Sequence, residues 1–295
     1  MIAMATETRL IRKITVFLEM IKFSHTVFAL PFALTGALLA ANGLPSGRQI
    51  LWIILAMAGA RTAAMGLNRL IDAEIDARNP RTANRAIPAG LIGKGATLVF
   101  IAAATMLLLF AAMMLNPLCL KLSPVAIFFL VLYSFCKRFT SLAHVVLGIC
   151  LAAAPMGAWI AIRGSLDTPA LILGGIVLFW VAGFDILYAL QDLEFDRAAG
   201  LHSIPVALGV KGSLRAARLF HLVMMGLLLG LFVTMHLGVL FLIGILAAGA
   251  MLLYEHLLLK GGSLEKLDAA FFNMNGYISI VILAFTAADL LVRWP

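Results

Sequence analysis

Charge is what this 295-residue chain has least of: Asp, Glu, Lys and Arg make up 12% of it, and acidic residues number only 14. With 63% hydrophobic residues, that scarcity excludes an ordinary soluble domain, whose charged share is about 25%. Cysteine is scarce too. Cys119, Cys136 and Cys150 lie in or beside apolar runs, at spacings that make neither a disulfide framework nor a metal site, and read as packed small hydrophobes. The six histidines are dispersed, with no HExxH pair to hold zinc; His25, His144, His202 and His221 read as polar caps or interfacial groups. Period-2 alternation is missing from the apolar runs, which argues against a membrane barrel and for helices. No soluble domain or low-complexity linker breaks the chain. Glu19 and Lys22 interrupt the stretch after Arg9, Arg12 and Lys13, so a cleavable signal is not expected.

What is present is a series of long apolar runs. An all-α polytopic membrane protein follows, one integral domain over 1–295. About nine transmembrane helices are expected, near 14–41, 48–72, 96–115, 118–135, 141–161, 168–190, 212–235, 237–259 and 267–292, each close to the ~20 residues a span requires. Pro31 is expected to kink the first. The net charge of +8 does not indicate nucleic acid, because the basic residues are scattered through connecting segments. Their distribution instead sets orientation. Only Arg48, Lys121, Arg163 and Arg293 lie on one side; the other 18 of 22 fall on the side of the N-terminus. The N-terminus and the active-site loops are therefore expected in the cytoplasm, with a bacterial inner membrane as the setting.

Two acidic stretches stand at the cytoplasmic ends of apolar runs: Asn68, Asp72 and Asp76, and later Asp185, Asp192 and Asp196. At 3.6 residues per turn each set falls on one helix face, while Glu74 and Glu194 point about 160–200° away from the aspartates beside them. Asp72 to Asp192 and Asp76 to Asp196 are each 120 residues apart, and a polar segment with Ile-Pro follows both, at Ile87-Pro88 and Ile204-Pro205. A duplicated helix unit would account for this. Four carboxylates without positive partners would repel in a cleft. Metal ligation by Asp72, Asp76, Asp192 and Asp196 relieves that repulsion, and hard oxygen donors suit Mg²⁺ holding a phosphate. Arg78, Arg81 and Arg85 in the next loop, and Arg61 two turns before Asn68, suit phosphate oxygens. A diphosphate head on an apolar tail fits this setting, with the tail among the helices.

At this point the chain resembles a known family. Asn68-x3-Asp72-x3-Asp76 with Arg81, Thr82 and Arg85 looks like the first motif of the UbiA superfamily of intramembrane prenyltransferases. Asp185-x2-Tyr188-x3-Asp192-x3-Asp196, then Gly200, Ser203, Pro205 and Gly209, is similar to its second. Tyr133 to Thr140, with Lys137 and Arg138, resembles its Tyr-Pro-x-x-Lys-Arg-x-Thr segment, with Ser134 in place of proline. The resemblance implies a helical bundle around a central cavity and Mg²⁺-dependent transfer of a polyprenyl group from polyprenyl diphosphate. The acceptor would be a small aromatic molecule. Asp72 and Asp192 then serve catalysis through the metal, and Asp185 with Tyr188 meets the acceptor. Lys137 and Arg138 hold diphosphate or an acceptor carboxylate. Within the family, the stretch Ile21 to Ala33 and the run Arg61 to Met65 are most similar to enzymes that prenylate 4-hydroxybenzoate for ubiquinone, and next to those that prenylate a dihydroxynaphthoate for menaquinone. A phosphatidyltransferase is the rival enzyme class, without its Asp-Gly-x2-Ala-Arg element here. A cation-coupled transporter is the rival outside enzymes. Gly148, Gly157, Gly174 and Gly175 are expected to permit close helix approach.

Overall fold

A computed structural model describes residues 14–20, 29–259 and 267–293, with side chains of 267–273 left out. Among the described residues every regular element is a helix, joined by turns. The helices are α1 (Leu30–Ala41), α2 (Gly47–Ile71), α3 (Ala73–Arg78), α4 (Lys94–Leu115), α5 (Pro117–Cys136), α6 (Ala143–Arg163), α7 (Thr168–Ala189), α8 (Leu193–Ala198), α9 (Ile204–Thr234), α10 (Val239–Leu258) and α11 (Leu267–Val292). Eight helices here are long and apolar enough to cross a membrane. The first expected span is described as helix at 14–20 and as α1; residues 21–28, with His25, lie outside the described residues. Pro31 sits in the first turn of α1, where its missing N–H costs nothing.

Local sequence accounts for the helix ends. Ser46 and Gln49 form a capping box at the start of α2, satisfying two otherwise unpaired groups. Asn116 accepts from the Cys119 N–H at 2.9 Å and Pro117 follows it, opening α5. Asn42 (φ 49°) and Gly164 (φ 68°) end α1 and α6 in the left-handed region, which suits Asn and Gly. The segment Ile204-Pro205, expected in a polar connection, instead begins α9 behind Ser203, whose Oγ accepts from Val206 N. Gly209 (φ 65°) breaks α9 shortly after.

Each long helix packs on the next, and α11 returns to α1, so the bundle closes into a ring; α1 also packs across on α6. Small residues set the closest approaches. A Cβ on Gly148 would lie 2.5 Å from the Leu178 carbonyl oxygen, and one on Gly59 would lie 2.7 Å from that of Ala104. Gly174 and Gly175 face the side chains of Met156 and Leu227. Gly157 differs from expectation: a Cβ there would meet nothing within 4 Å, because the residue borders the central cavity. The apolar core centres on α7, where Trp180 is fully buried, lies 4.9 Å from Phe32 between ring centroids, and donates its indole N–H to Asn275 at 2.8 Å.

Candidate active site

Both acidic stretches adopt the same backbone form. α2 ends at Ile71, Asp72 has φ −89° and ψ 4°, and the six-residue α3 follows. α7 passes into a 3-10 turn at Leu190–Asp192, Asp192 has φ −99° and ψ 2°, and the six-residue α8 follows. Neither stretch is the single regular helix expected. The i to i−4 bonding nevertheless continues through the first break, with Asp72 N to Asn68 O at 2.9 Å and Asp76 N to Asp72 O at 2.7 Å. Helical phase is thereby kept. Asn68, Asp72, Asp76, Asp185, Asp192 and Asp196 all line one cavity of about 1190 Å³, so the two stretches share one end of the bundle. Glu74 and Glu194 are exposed and outside it.

The carboxylates are not bare, as expected from the sequence, but individually paired. Arg81 donates its Nε to Asp192 Oδ1 at 2.8 Å, its Nη2 to Asp192 Oδ2, and its Nη1 to the Tyr188 hydroxyl at 3.2 Å. Arg85 meets Asp76 at 2.6 Å, Lys137 meets Asp196 at 3.4 Å, and Arg138 meets Asp72 at 3.0 Å. Each partner restores charge balance that burial makes necessary. Burial still pushes the Asp72 carboxyl above the usual carboxylate range, with Arg138 opposing. Burial lowers the proton affinity of Arg81, but its bonds and charge interaction with Asp192 hold it above its ordinary value.

Two of the basic residues singled out in the sequence stand elsewhere. Arg78 is exposed, donates its Nε to the Glu74 carbonyl at 3.3 Å, and does not line the cavity; on α3 it shares the outward face of Glu74, four residues away. Arg138 lies behind Asp72, outside the cavity wall, where it donates to the Ser134 carbonyl at 2.7 Å and the Ile71 carbonyl at 2.9 Å. It thus satisfies an unpaired carbonyl at the end of α2. Asn68 Nδ2 donates to Asp72 Oδ2 at 2.9 Å. Arg61 lines the cavity, has no acidic partner among the described residues, and buries an Nε without a hydrogen-bond partner.

Several residues here escaped the sequence reading. Asn79 is buried, donates to Asp192 Oδ1 at 3.1 Å, and accepts from the Arg81 backbone N–H at 3.0 Å. Its place in the turn before Arg81 was the available signal. Arg69 is buried and lines the cavity. His144, read as a polar cap, is wholly buried with Nδ1 2.6 Å from Asp185 Oδ2. No spacing rule links residues 41 apart in sequence on two helices.

Among the described residues, no three His, Cys, Asp or Glu side chains converge as a ready-made metal site. The donor chemistry does fit a hard cation: the carboxylates of Asp72, Asp76, Asp192 and Asp196 border one cavity, and Asp76 Oδ2 is buried without a partner. Oxygen ligands of this kind suit Mg²⁺. Arg138, Arg85, Arg81 and Lys137 each pair with one of these carboxylates here.

Comparison with known proteins places the chain in a family. A model of the UbiA prenyltransferase family matches residues 29–277. A protein of Aliivibrio fischeri named 4-hydroxybenzoate octaprenyltransferase is 30% identical over 252 residues, covering 85% of this chain and 88% of that protein. One of the same name from Vibrio cholerae is 32% identical over 258 residues, covering 87% and 89%. The apo structure of a UbiA homologue from Aeropyrum pernix superposes with a TM-score of 0.83 at 31% identity, covering 90% of this chain and 98% of that one. A UbiA homologue from Archaeoglobus fulgidus, solved bound to DMAPP and Mg²⁺, shares the fold with a TM-score of 0.72 at 21% identity, covering 94% and 99%.

Proposed function

The chain belongs to the UbiA prenyltransferase family, and from that premise we propose that it is an Mg²⁺-dependent enzyme transferring a polyprenyl group from polyprenyl diphosphate to 4-hydroxybenzoate. The acceptor is supported by the names of the Aliivibrio and Vibrio relatives. The single observation that carries the reading is that four aspartates from two distant stretches, each with a basic partner, line one cavity. We read residues 1–295 as one integral domain of a bacterial inner membrane. The N-terminus and both acidic stretches face the cytoplasm, as the distribution of basic residues supports.

Asp72, Asp76, Asp192 and Asp196 would hold Mg²⁺, which when bound supplies positive charge to the departing diphosphate. With those carboxylates holding the metal, Arg81, Arg85 and Lys137 would be free to meet phosphate oxygens. Arg138 and Asn68 keep Asp72 in place from behind and from the preceding turn. The apolar cavity wall takes the prenyl tail and excludes water from the allylic centre. Deeper in the bundle, Arg61 offers an unpaired cation for the acceptor carboxylate, and Asp185 accepts the hydrogen bond of the phenol. The ring carbon beside that hydroxyl forms its bond to the prenyl C1 as the C1–O bond breaks. Diphosphate leaves with the electron pair, and the ring proton is lost as aromaticity returns.

Purified full-length protein in nanodiscs, given geranyl diphosphate, tests this by a diphosphate-release assay. Release is expected only when Mg²⁺ and 4-hydroxybenzoate are both present. Release without an acceptor, or none at all, contradicts the proposal.

A further inference from the structure

The start of α9 leaves one polar group to place. The first N–H groups of a helix have no partner within it. Pro205 has no N–H, and Val206 N donates to Ser203 Oγ at 3.3 Å. The Ile204 N–H remains, and it points at His144 Nε2 across 3.4 Å. A ring nitrogen that accepts carries a lone pair, so the imidazole proton sits on Nδ1. Nδ1 in turn lies 2.6 Å from Asp185 Oδ2. The wholly buried ring of His144 is thus held at one nitrogen by backbone and meets a carboxylate with the other.

For Asp185 the consequence is a fixed orientation. Oδ2 is committed to His144, while Oδ1 has no hydrogen-bond partner among the described residues. Asp185 and Tyr188 both border the cavity. A carboxylate on a freely turning side chain would spend rotational entropy on each encounter with a phenol; one held by a buried donor does not.

We propose that His144 is a positioning residue for the acceptor, holding Asp185 by Oδ2 so that Oδ1 faces the incoming phenol, with the Ile204 N–H fixing the tautomer that makes this work. The inference rests on the reading of Asp185 as the acceptor-binding carboxylate. A helix-start cap alone would require only the Ile204 contact.

The test uses the full chain in nanodiscs with geranyl diphosphate, Mg²⁺ and 4-hydroxybenzoate. Hydrogen-bond partners that orient metal ligands change affinity or activity by about 10- to 100-fold on removal, and a partner that orients an acceptor-binding carboxylate acts in the same way. His144→Phe should lower kcat/KM for the acceptor by about that much, with geranyl diphosphate binding retained. His144→Asn, which keeps an N–H donor near the position of Nδ1, should recover most of the loss. Combining His144→Phe with Asp185→Asn should be no worse than Asp185→Asn alone, since the histidine acts through the aspartate. Loss of donor binding in His144→Phe, or penalties that add in the double variant, would overturn the proposal. ¹⁵N-histidine NMR of the wild-type chain gives an answer that depends on no variant's folding: protonated Nδ1 at His144 is expected, and protonated Nε2 overturns the inference. Asp185→Asn with undiminished turnover would instead defeat the acceptor reading. An impaired Asp185→Asn beside an unimpaired His144→Phe would defeat only the role given to His144.

Discussion

Asp72 and Glu74 are two residues apart, as are Asp192 and Glu194, and the structure separates their consequences. The side chains of Asp72 and Asp192 are 20% and 10% exposed, those of Glu74 and Glu194 87% and 83%. Among the described residues the Glu74 carboxylate pairs with Lys94 at 3.7 Å, and that of Glu194 with Arg197 at 3.3 Å. Exposed pairs of this kind contribute about 0–1 kcal/mol. Alanine at either glutamate should therefore leave turnover nearly intact. Alanine at Asp72 removes a proposed metal donor and leaves Arg138 without its counter-charge. At Asp192 it strands Arg81 and the amide of Asn79. A fall of about a hundredfold in rate corresponds to roughly 2.7 kcal/mol of lost transition-state stabilisation. The assay is the initial rate of diphosphate release for the four single-alanine variants at matched expression. Near-inactive aspartate variants beside active glutamate variants are expected. Glutamate variants that fail as badly would refute the assignment of the two faces.

Three further outcomes are expected. Arg81→Ala should lower kcat/KM by about tenfold or more, roughly 1.4 kcal/mol, while Arg78→Ala, exposed and outside the cavity, should leave steady-state kinetics unchanged. Gly157→Leu places a side chain in open cavity space, so turnover with long-chain polyprenyl diphosphates should fall more than with geranyl diphosphate, read as the ratio of kcat/KM values. Single cysteines at Ala77 and Ala198, in a background lacking Cys119, Cys136 and Cys150, should react with an impermeant thiol reagent only from the cytoplasmic face; labelling from outside would reverse the orientation.

Apolar run length and helical phase were legible in the sequence because each depends on near neighbours. The long helices and the inward turn of Asn68, Asp72 and Asp76 follow from them, even across the break at Asp72, since the i to i−4 bonds persist there. The matching break at Asp192 was not legible, although the 120-residue offset pointed to a repeated design. What sequence could not show was partnership across the fold. Arg81 and Asp192 are 111 residues apart, and Arg138 reaches the Ile71 carbonyl over 67. Loop position credited Arg78, and the resemblance of the Tyr133 to Thr140 segment credited Arg138, with facing substrate, when one turns outward and the other closes a helix end. His144 was hidden for the same reason. A histidine in an apolar run has no period to mark it, and its importance arises only where α6 meets Asp185 on α7 and the start of α9.

The most direct measurement is mass spectrometry of the lipid products formed by the purified chain from geranyl diphosphate and a panel of aromatic acids, with Mg²⁺ or with EDTA. The account predicts geranylated 4-hydroxybenzoate, substituted on the ring carbon beside the hydroxyl, in the Mg²⁺ samples and none in EDTA. Undiminished product in EDTA, or no prenylated acid from any member of the panel, would contradict it.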